Sequence, residues 1–133
     1  MKKYLIDTNI CIYYIKGKFN LDKKFNEVES KNCFISEITL AELKFGVANS
    51  EKPAKNILVL ENFLTGVSIL PIYHSLDFYA TEKSRLRKAG TPIDDFDLLI
   101  GATAVTHQLI MVTNNVKHFK RIKNIITTDW TKA

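Results

Sequence analysis

Near its start the sequence reads Lys3-Tyr4-Leu5-Ile6-Asp7-Thr8-Asn9, an apolar run that leads directly into Asp-Thr-Asn. This order is typical of a buried β-strand that ends in a carboxylate, and open α/β sheets bind ligands outside the carboxyl ends of their strands. Asp7 is therefore the first candidate functional residue. An alternative stays open, in which Asp7 only caps a helix that begins with the apolar run from Ile10 to Ile15. The rest of the chain decides between them, according to whether other acids accompany Asp7.

Length and composition indicate an ordinary soluble protein. A chain of 133 residues fits one domain, spanning 1–133, with its own core. Hydrophobic residues make up 46% and charged residues 25%, which argues against long disordered segments. The first apolar run is too short for a signal peptide, and no stretch approaches the roughly 20 apolar residues of a membrane helix. Cys11 and Cys33 have apolar neighbours, so we expect buried free thiols and a cytoplasmic location without membrane contact.

Strands and helices alternate along the whole sequence. Apolar runs predict strands at 3–7, 33–35, 67–72, 109–112 and 125–126, and helices at 10–16, 21–29, 37–48, 53–64, 75–88 and from 97 onward. Ser36 is a good cap for the third helix. This alternation predicts a three-layer α/β/α domain with a mainly parallel central sheet of about five strands.

Two more acids occupy unusual positions in predicted helices. At 100° per residue, Glu42 falls beside Ile38 and Phe45, on the packed side of its helix. A buried carboxylate needs a partner, so Glu42 binds a cation or, in the plainer interpretation, pairs with a lysine at the rim. Asp97 heads a helix that is apolar almost all round, although first-turn acids are also favoured simply by the helix dipole, with Asp94 or Asp95 as the cap.

Asp7, Glu42 and Asp97 can meet at one edge of such a sheet, because right-handed crossovers align the strand ends. Converging carboxylates repel one another and need cations between them. With oxygen ligands alone and no His or Cys set nearby, the expected ions are Mg²⁺ or Mn²⁺. Clusters of this kind recur in enzymes that hydrolyse phosphodiesters, where the metal activates water and stabilises charge.

The charge balance favours a polyanionic partner. Lys and Arg total 19 against 14 for Asp and Glu, a net charge of +5. Basic residues cluster at 85–88 and again at 117–123. They either form a solvated face or bind a nucleic-acid backbone, and in the second case binding should weaken with salt.

Four blocks, in order, resemble the PIN-domain ribonucleases, and most of all the VapC toxins of toxin–antitoxin pairs. The blocks are Asp7-Thr8-Asn9, Leu40-Ala41-Glu42-Leu43-Lys44-Phe45-Gly46, Asp97-Leu98-Leu99-Ile100-Gly101-Ala102-Thr103-Ala104 and Val112-Thr113-Asn114-Asn115-Val116-Lys117-His118-Phe119. The resemblance covers essentially the whole chain.

The resemblance implies roles for individual residues. Asp7, Glu42 and Asp97 would be the metal-binding and catalytic acids. Asn115 stands where many PIN domains carry a fourth Asp, so it joins the catalytic set. Because a neutral amide is a poorer metal ligand than a carboxylate, a second ion would bind more weakly or with help from the substrate. Thr8 and Thr113 would orient ligands or water. The expected substrate contacts are Thr8, Asn9, Thr113, Arg87, Lys117 and Arg121.

The resemblance also implies a function. We expect a Mg²⁺-dependent endoribonuclease, with Mn²⁺ able to substitute, that leaves a 5′-phosphate and a 3′-hydroxyl. As a VapC-like toxin it would cleave a structured RNA, with the anticodon loop of initiator tRNA favoured, and inhibit translation until a small antitoxin blocks it. A homodimer is expected, for example through the apolar face of the helix at Pro53–Leu64. The alternative is a non-catalytic RNA-binding domain with a degenerate metal site, which only Asn115 favours.

Overall fold

Five short parallel strands form the centre of the fold in the computed structural model, which describes residues 2–132. Along the sheet they lie in the order β3-β2-β1-β4-β5, and every neighbouring pair is parallel. The predicted three-layer class with about five strands is therefore confirmed. The strands are β1 (Tyr4–Ile6), β2 (Cys33–Ser36), β3 (Ser68–Leu70), β4 (Ile110–Val112) and β5 (Thr127–Thr128).

Within residues 2–132, seven helices connect and cover the strands, and short 3₁₀ turns lie at Ser30–Asn32 and Tyr73–Ser75. Local sequence signals set several helix starts: the Ser36 hydroxyl accepts a hydrogen bond from the Ile38 amide, and Asp94 caps through the Phe96 amide. Among residues 2–132 no helix is both long and apolar enough to cross a membrane. The helices are α1 (Thr8–Ile15), α2 (Leu21–Val28), α3 (Glu37–Ala48), α4 (Pro53–Leu64), α5 (Leu76–Lys88), α6 (Asp95–Thr106) and α7 (Val116–Phe119).

Alternating side chains of the strands feed two cores, one on each face of the sheet. Leu5 and Met111 pack with residues of α5, α6 and α7, whereas Ile6 and Val112 pack with residues of α1 to α4. Trp130 closes the second of these cores, with its ring 5.1 Å from that of Tyr4. Burial on both faces explains why these strands read as continuous apolar runs in the sequence.

Several details of the sequence prediction are wrong. The last strand lies at Thr127–Thr128 instead of 125–126, because Ile126 is exposed while Thr127 pairs with Met111. The spacing of Leu76, Tyr79, Ala80 and Leu86 predicts that they form the inward face of α5, but Leu76 and Ala80 are exposed. The thiols of Cys11 and Cys33 are buried and free, as predicted, and burial raises the pKa of Cys33 to about 11.

The inward face of α5 instead carries a carboxylate, Glu82, which is only 3% exposed. Arg85 donates two hydrogen bonds to it, of 2.7 and 2.6 Å, and the Lys123 amide donates a third of 2.6 Å. These donors, the Arg85 guanidinium first, lower the pKa of Glu82 in spite of burial. Glu82 therefore ties α5 to the segment that follows α7.

We expect Glu82→Gln to destabilise the fold by about 2 kcal/mol near pH 7, because hydrogen bonds to the charged carboxylate are weakened. A pKa that is lower in the folded than in the unfolded state contributes stability above the unfolded value of 4.5, and this is lost as the pH falls through the folded pKa. Urea unfolding of the variant and the parent at pH 3 to 7 measures the difference. The exposed Glu61→Gln is the matched control. An equal, pH-independent effect of both variants would contradict the assignment.

Candidate active site

The candidate site lies where β1 and β4 run side by side. The chain passes from β1 to β2 and β3 on one side, and β4 is on the other side of β1, so this is the switch point at which α/β sheets form a crevice. Asp7 directly follows β1 and Thr113 directly follows β4. The Asp7 amide donates to the Val112 carbonyl at 2.9 Å, which joins the two strand ends.

Asp7 is buried, with 6% of its surface exposed. Its Oδ1 accepts a hydrogen bond of 2.8 Å from the Thr8 amide and its Oδ2 one of 2.8 Å from the Thr113 hydroxyl. Burial raises its pKa to about 6, the two hydrogen bonds oppose that rise, and the charges of Asp97 and Glu42 add to it. Asp7 thus caps α1, as the plainer interpretation said, and the charges of the other two acids also act on it.

Glu42 lies half-buried on α3, and its Oε1 accepts a hydrogen bond of 2.6 Å from the Thr8 hydroxyl. The Thr8 and Thr39 hydroxyl oxygens are 3.0 Å apart, and since Thr8 has one proton to donate, Thr39 supplies the proton of that second contact. In the described chain, 2–132, Glu42 forms no ion pair with a lysine. The predicted packing beside Phe45 is wrong, because Phe45 is exposed and α3 buries Thr39 and Leu43 instead.

Asp97 lies in the first turn of α6, with 35% of its side chain exposed. Its Oδ2 is 3.2 Å from Nε2 of His118, a residue that sequence reasoning assigned only to a basic segment. The available signal was spacing, because His118 is three residues after Asn115 and one helical turn brings it back towards the strand end. His118 in turn contacts Arg121, which also donates to the Pro92 carbonyl at 3.2 Å.

The residues predicted to contact the substrate lie in different surroundings. The Thr8 hydroxyl donates to Glu42, and the Thr113 hydroxyl donates to Asp7. The backbone amide of the exposed Asn115 donates to the Thr113 hydroxyl oxygen at 3.0 Å. Arg121 is turned towards His118 and Pro92. Exposed positions are occupied by Asn9, Arg87 and Lys117. Contact of any of them with a substrate stays a prediction.

The donor set suits a hard divalent cation. The carboxylates of Asp7 and Glu42 accept hydrogen bonds from hydroxyl or amide groups, and neither forms an ion pair with a Lys or Arg among residues 2–132. The negative charges of Glu42 and Asp97 also act on Asp7. Carboxylate oxygens are the ligands that Mg²⁺ and Mn²⁺ prefer. Within the same residues, however, no three His, Cys, Asp or Glu side chains form a group that could hold a metal ion. The residue types and charges fit a cation, but their arrangement in residues 2–132 does not bring three such ligands together, so the site stays a prediction.

An apolar groove of about 440 Å³ lies between α1, α3 and α4, next to Glu42. Glu42 lies at its rim, and its lining includes Ile12, Ile15, Val47 and Val59. We call this surface the α1–α4 groove. Its position means that a chain lying in it would come next to Glu42.

Comparison with known proteins gives a consistent set of relatives. The PIN domain profile matches residues 4–125. The tRNA(fMet)-specific endonuclease VapC of Shigella flexneri is 36% identical over 132 residues, covering 98% of this chain and 99% of the relative. Ribonuclease VapC2 of Haemophilus influenzae is 40% identical over 133 residues, covering 98% and 99%. Among solved structures, the DNA-bound VapBC of Salmonella typhimurium superposes with a TM-score of 0.92 at 34% identity, covering 98% and 99%.

Proposed function

The chain belongs to the PIN-domain family, among the VapC ribonucleases, and from this premise we propose that it is a Mg²⁺-dependent endoribonuclease and the toxin of a toxin–antitoxin pair. One observation carries the proposal: the buried Asp7 carboxylate lies at the switch point of the sheet with Glu42 and Asp97 near enough for their charges to raise its pKa. Such an arrangement costs stability unless a cation compensates it.

Asp7, Glu42 and Asp97 would hold the cation, with Mn²⁺ able to replace Mg²⁺. Bound there, a divalent ion would supply Lewis-acid stabilisation of the phosphate and lower the pKa of water. The chain's own part is orientation: the Thr113 hydroxyl holds Asp7, and the Thr8 hydroxyl holds Glu42. The neutral, exposed Asn115 adds an amide at the rim, where it would contact the substrate or a weakly held second ion.

RNA is the proposed substrate, cleaved to leave a 5′-phosphate and a 3′-hydroxyl. A relative that is 36% identical is named for its specificity towards tRNA(fMet), which supports initiator tRNA as the target. Cleavage in the anticodon loop and inhibition of translation are part of the proposal. The net charge of +5 and the exposed Arg87 and Lys117 favour a polyanion. A toxin of this kind would act in the cytoplasm.

A small antitoxin is the proposed partner, because the solved relatives include VapBC complexes. We assign it to the α1–α4 groove, whose apolar lining and contact with Glu42 would let a bound chain block the acids. A homodimer is also part of the proposal, and the exposed Leu58 on α4 offers one apolar contact for it.

The test is cleavage of total cellular RNA by the purified protein with Mg²⁺ and with EDTA, followed by mapping of the cut ends. We expect discrete cuts that EDTA abolishes and added Mg²⁺ restores, because the acids need the cation to act. Cuts that persist in EDTA would contradict metal dependence. RNA binding without any cleavage under Mg²⁺ or Mn²⁺ would instead establish the non-catalytic alternative.

A further inference from the structure

The imidazole of His118 is bonded on both sides, between a candidate metal ligand and a permanent hydrogen-bond donor. Its Nε2 lies 3.2 Å from Oδ2 of Asp97, and its Nδ1 contacts Nη2 of Arg121. The ring is mostly enclosed, with 20% of the side chain exposed, and its edge packs against the ring of Phe119 at 5.4 Å. Both polar atoms of the ring are thus assigned to named partners.

These partners determine where the ring carries its proton. A guanidinium group has donors and no acceptor, so Nδ1 of His118 must accept from Arg121. The proton of the neutral ring is then on Nε2, from which it is donated to Asp97. Arg121 is itself held by two carbonyl oxygens, that of Pro92 at 3.2 Å and that of His118 at 3.3 Å.

The same chain of contacts continues into the core. The Arg121 carbonyl accepts a hydrogen bond of 2.9 Å from Arg85, which is paired with the buried Glu82. The segment that carries His118 is therefore anchored at a site remote from the acids. An anchored ring is suited to fixing a neighbouring carboxylate, because its own orientation is already set.

We propose that His118 is a positioning residue, which holds the Asp97 carboxylate for cation binding while Arg121 fixes the ring in its Nε2–H tautomer. Asp97 is the acid that needs this support, because it is more exposed than Asp7 and lies on the first turn of a helix. The inference rests on the proposed cation site. It also gives Arg121 a role within the protein, in place of the RNA contact that the sequence predicted.

Two substitutions separate the functions of the ring. His118→Gln places an amide nitrogen near the position of Nε2 and so keeps a hydrogen-bond donor for Asp97. His118→Asn reaches only to the position of Nδ1, so it keeps an acceptor for Arg121 but loses the donor for Asp97. The measurement is the affinity for Mn²⁺, determined by calorimetric titration without RNA. Any contact of Arg121 with RNA then cannot affect the measured affinity. We expect His118→Asn to weaken Mn²⁺ binding by about 10-fold to 100-fold and His118→Gln by less than about threefold.

Equal weakening by Gln and Asn would show that the ring matters only for packing, and unchanged binding in both would show that it does not position Asp97. Either result overturns the inference. Absence of Mn²⁺ binding in the parent protein would instead overturn the proposed cation site, so the two failures are distinguishable.

A spectroscopic measurement on the unmodified protein keeps the inference testable if a variant unfolds. Long-range ¹H–¹⁵N correlation spectra distinguish a protonated from an unprotonated ring nitrogen. We expect neutral His118 with its proton on Nε2 in the parent and a mixture of tautomers in Arg121→Gln. A proton on Nδ1 in the parent protein would contradict the assignment directly.

Discussion

Replacing Asp7 by asparagine is expected to abolish RNA cleavage and, in the absence of metal, to stabilise the fold. The loss of activity should be at least roughly 1,000-fold, because several kcal/mol of charge stabilisation depend on the cation that Asp7 would hold. The gain in stability follows from burial, which raises the pKa of Asp7 from 3.8 to about 6. A charged Asp7 at pH 7 therefore costs the metal-free fold about 3 kcal/mol.

The pH dependence of this gain has a definite sign. Between about pH 4 and pH 6 the folded state binds the Asp7 proton more tightly than the unfolded state, so the contribution of Asp7 to stability falls as the pH rises. Above pH 6 the full cost is present, and below pH 4 both states are protonated. Asp7→Asn removes the charge, so its advantage should be largest above pH 6 and vanish towards pH 4.

Urea unfolding of the parent and Asp7→Asn in EDTA, from pH 4 to pH 8, measures this advantage. Asp22→Asn on the exposed surface of α2 is the matched control and should change stability by less than about 0.5 kcal/mol. Lower stability of Asp7→Asn at pH 7 would contradict the view that the carboxylate is retained for binding a cation at the expense of stability.

Removing the Thr113 hydroxyl is the second large effect that we expect. In Thr113→Val the buried Asp7 carboxylate loses a hydrogen-bond donor, and the backbone amide of the exposed Asn115 loses its acceptor. Unsatisfied groups of this kind cost about 2 to 3 kcal/mol. The pKa of Asp7 should rise further, since the Thr113 bond is the first of the interactions that lower it, and cleavage should fall by about 10-fold to 100-fold.

Thr113→Ser keeps the hydroxyl and should retain most activity, while Thr91→Val makes the same chemical change at an exposed position. Thermal unfolding and single-turnover cleavage of the three variants give both quantities. If Thr113→Val cleaves RNA as fast as Thr113→Ser, the hydroxyl does not orient Asp7.

The inner strands β1, β2 and β4 could be predicted because their side chains are buried or half-buried on both faces and therefore read as apolar runs, such as Leu109 to Val112. The three acids were singled out because Asp7 ends an apolar strand, Asp97 heads an apolar helix and Glu42 falls on the packed side of α3. That they form one site stays a prediction. The position of Asp7 after β1 also fixed its role as a cap of α1. Local sequence carries these signals, since they depend on neighbouring residues.

Contacts between distant segments could not be predicted in this way. The sequence pattern did not single out Glu82, whose burial depends on Arg85 and on an amide 41 residues away. His118 and Arg121 looked like part of a basic surface, and their contacts with Asp97 and Pro92 depend on how α7 packs beside α6. A charge pattern alone does not distinguish a residue that binds RNA from one that supports the site.

Mn²⁺ titration of the parent protein and of Asp7→Asn, Glu42→Gln and Asp97→Asn tests most directly whether the three acids form one cation site. The measurement needs no RNA, and Asp22→Asn serves as the control for loss of a surface acid. We predict that the parent binds Mn²⁺, that each of the three substitutions weakens this binding at least roughly tenfold, and that the control does not. Binding that is unchanged in any of the three, or absent from the parent, would contradict the account.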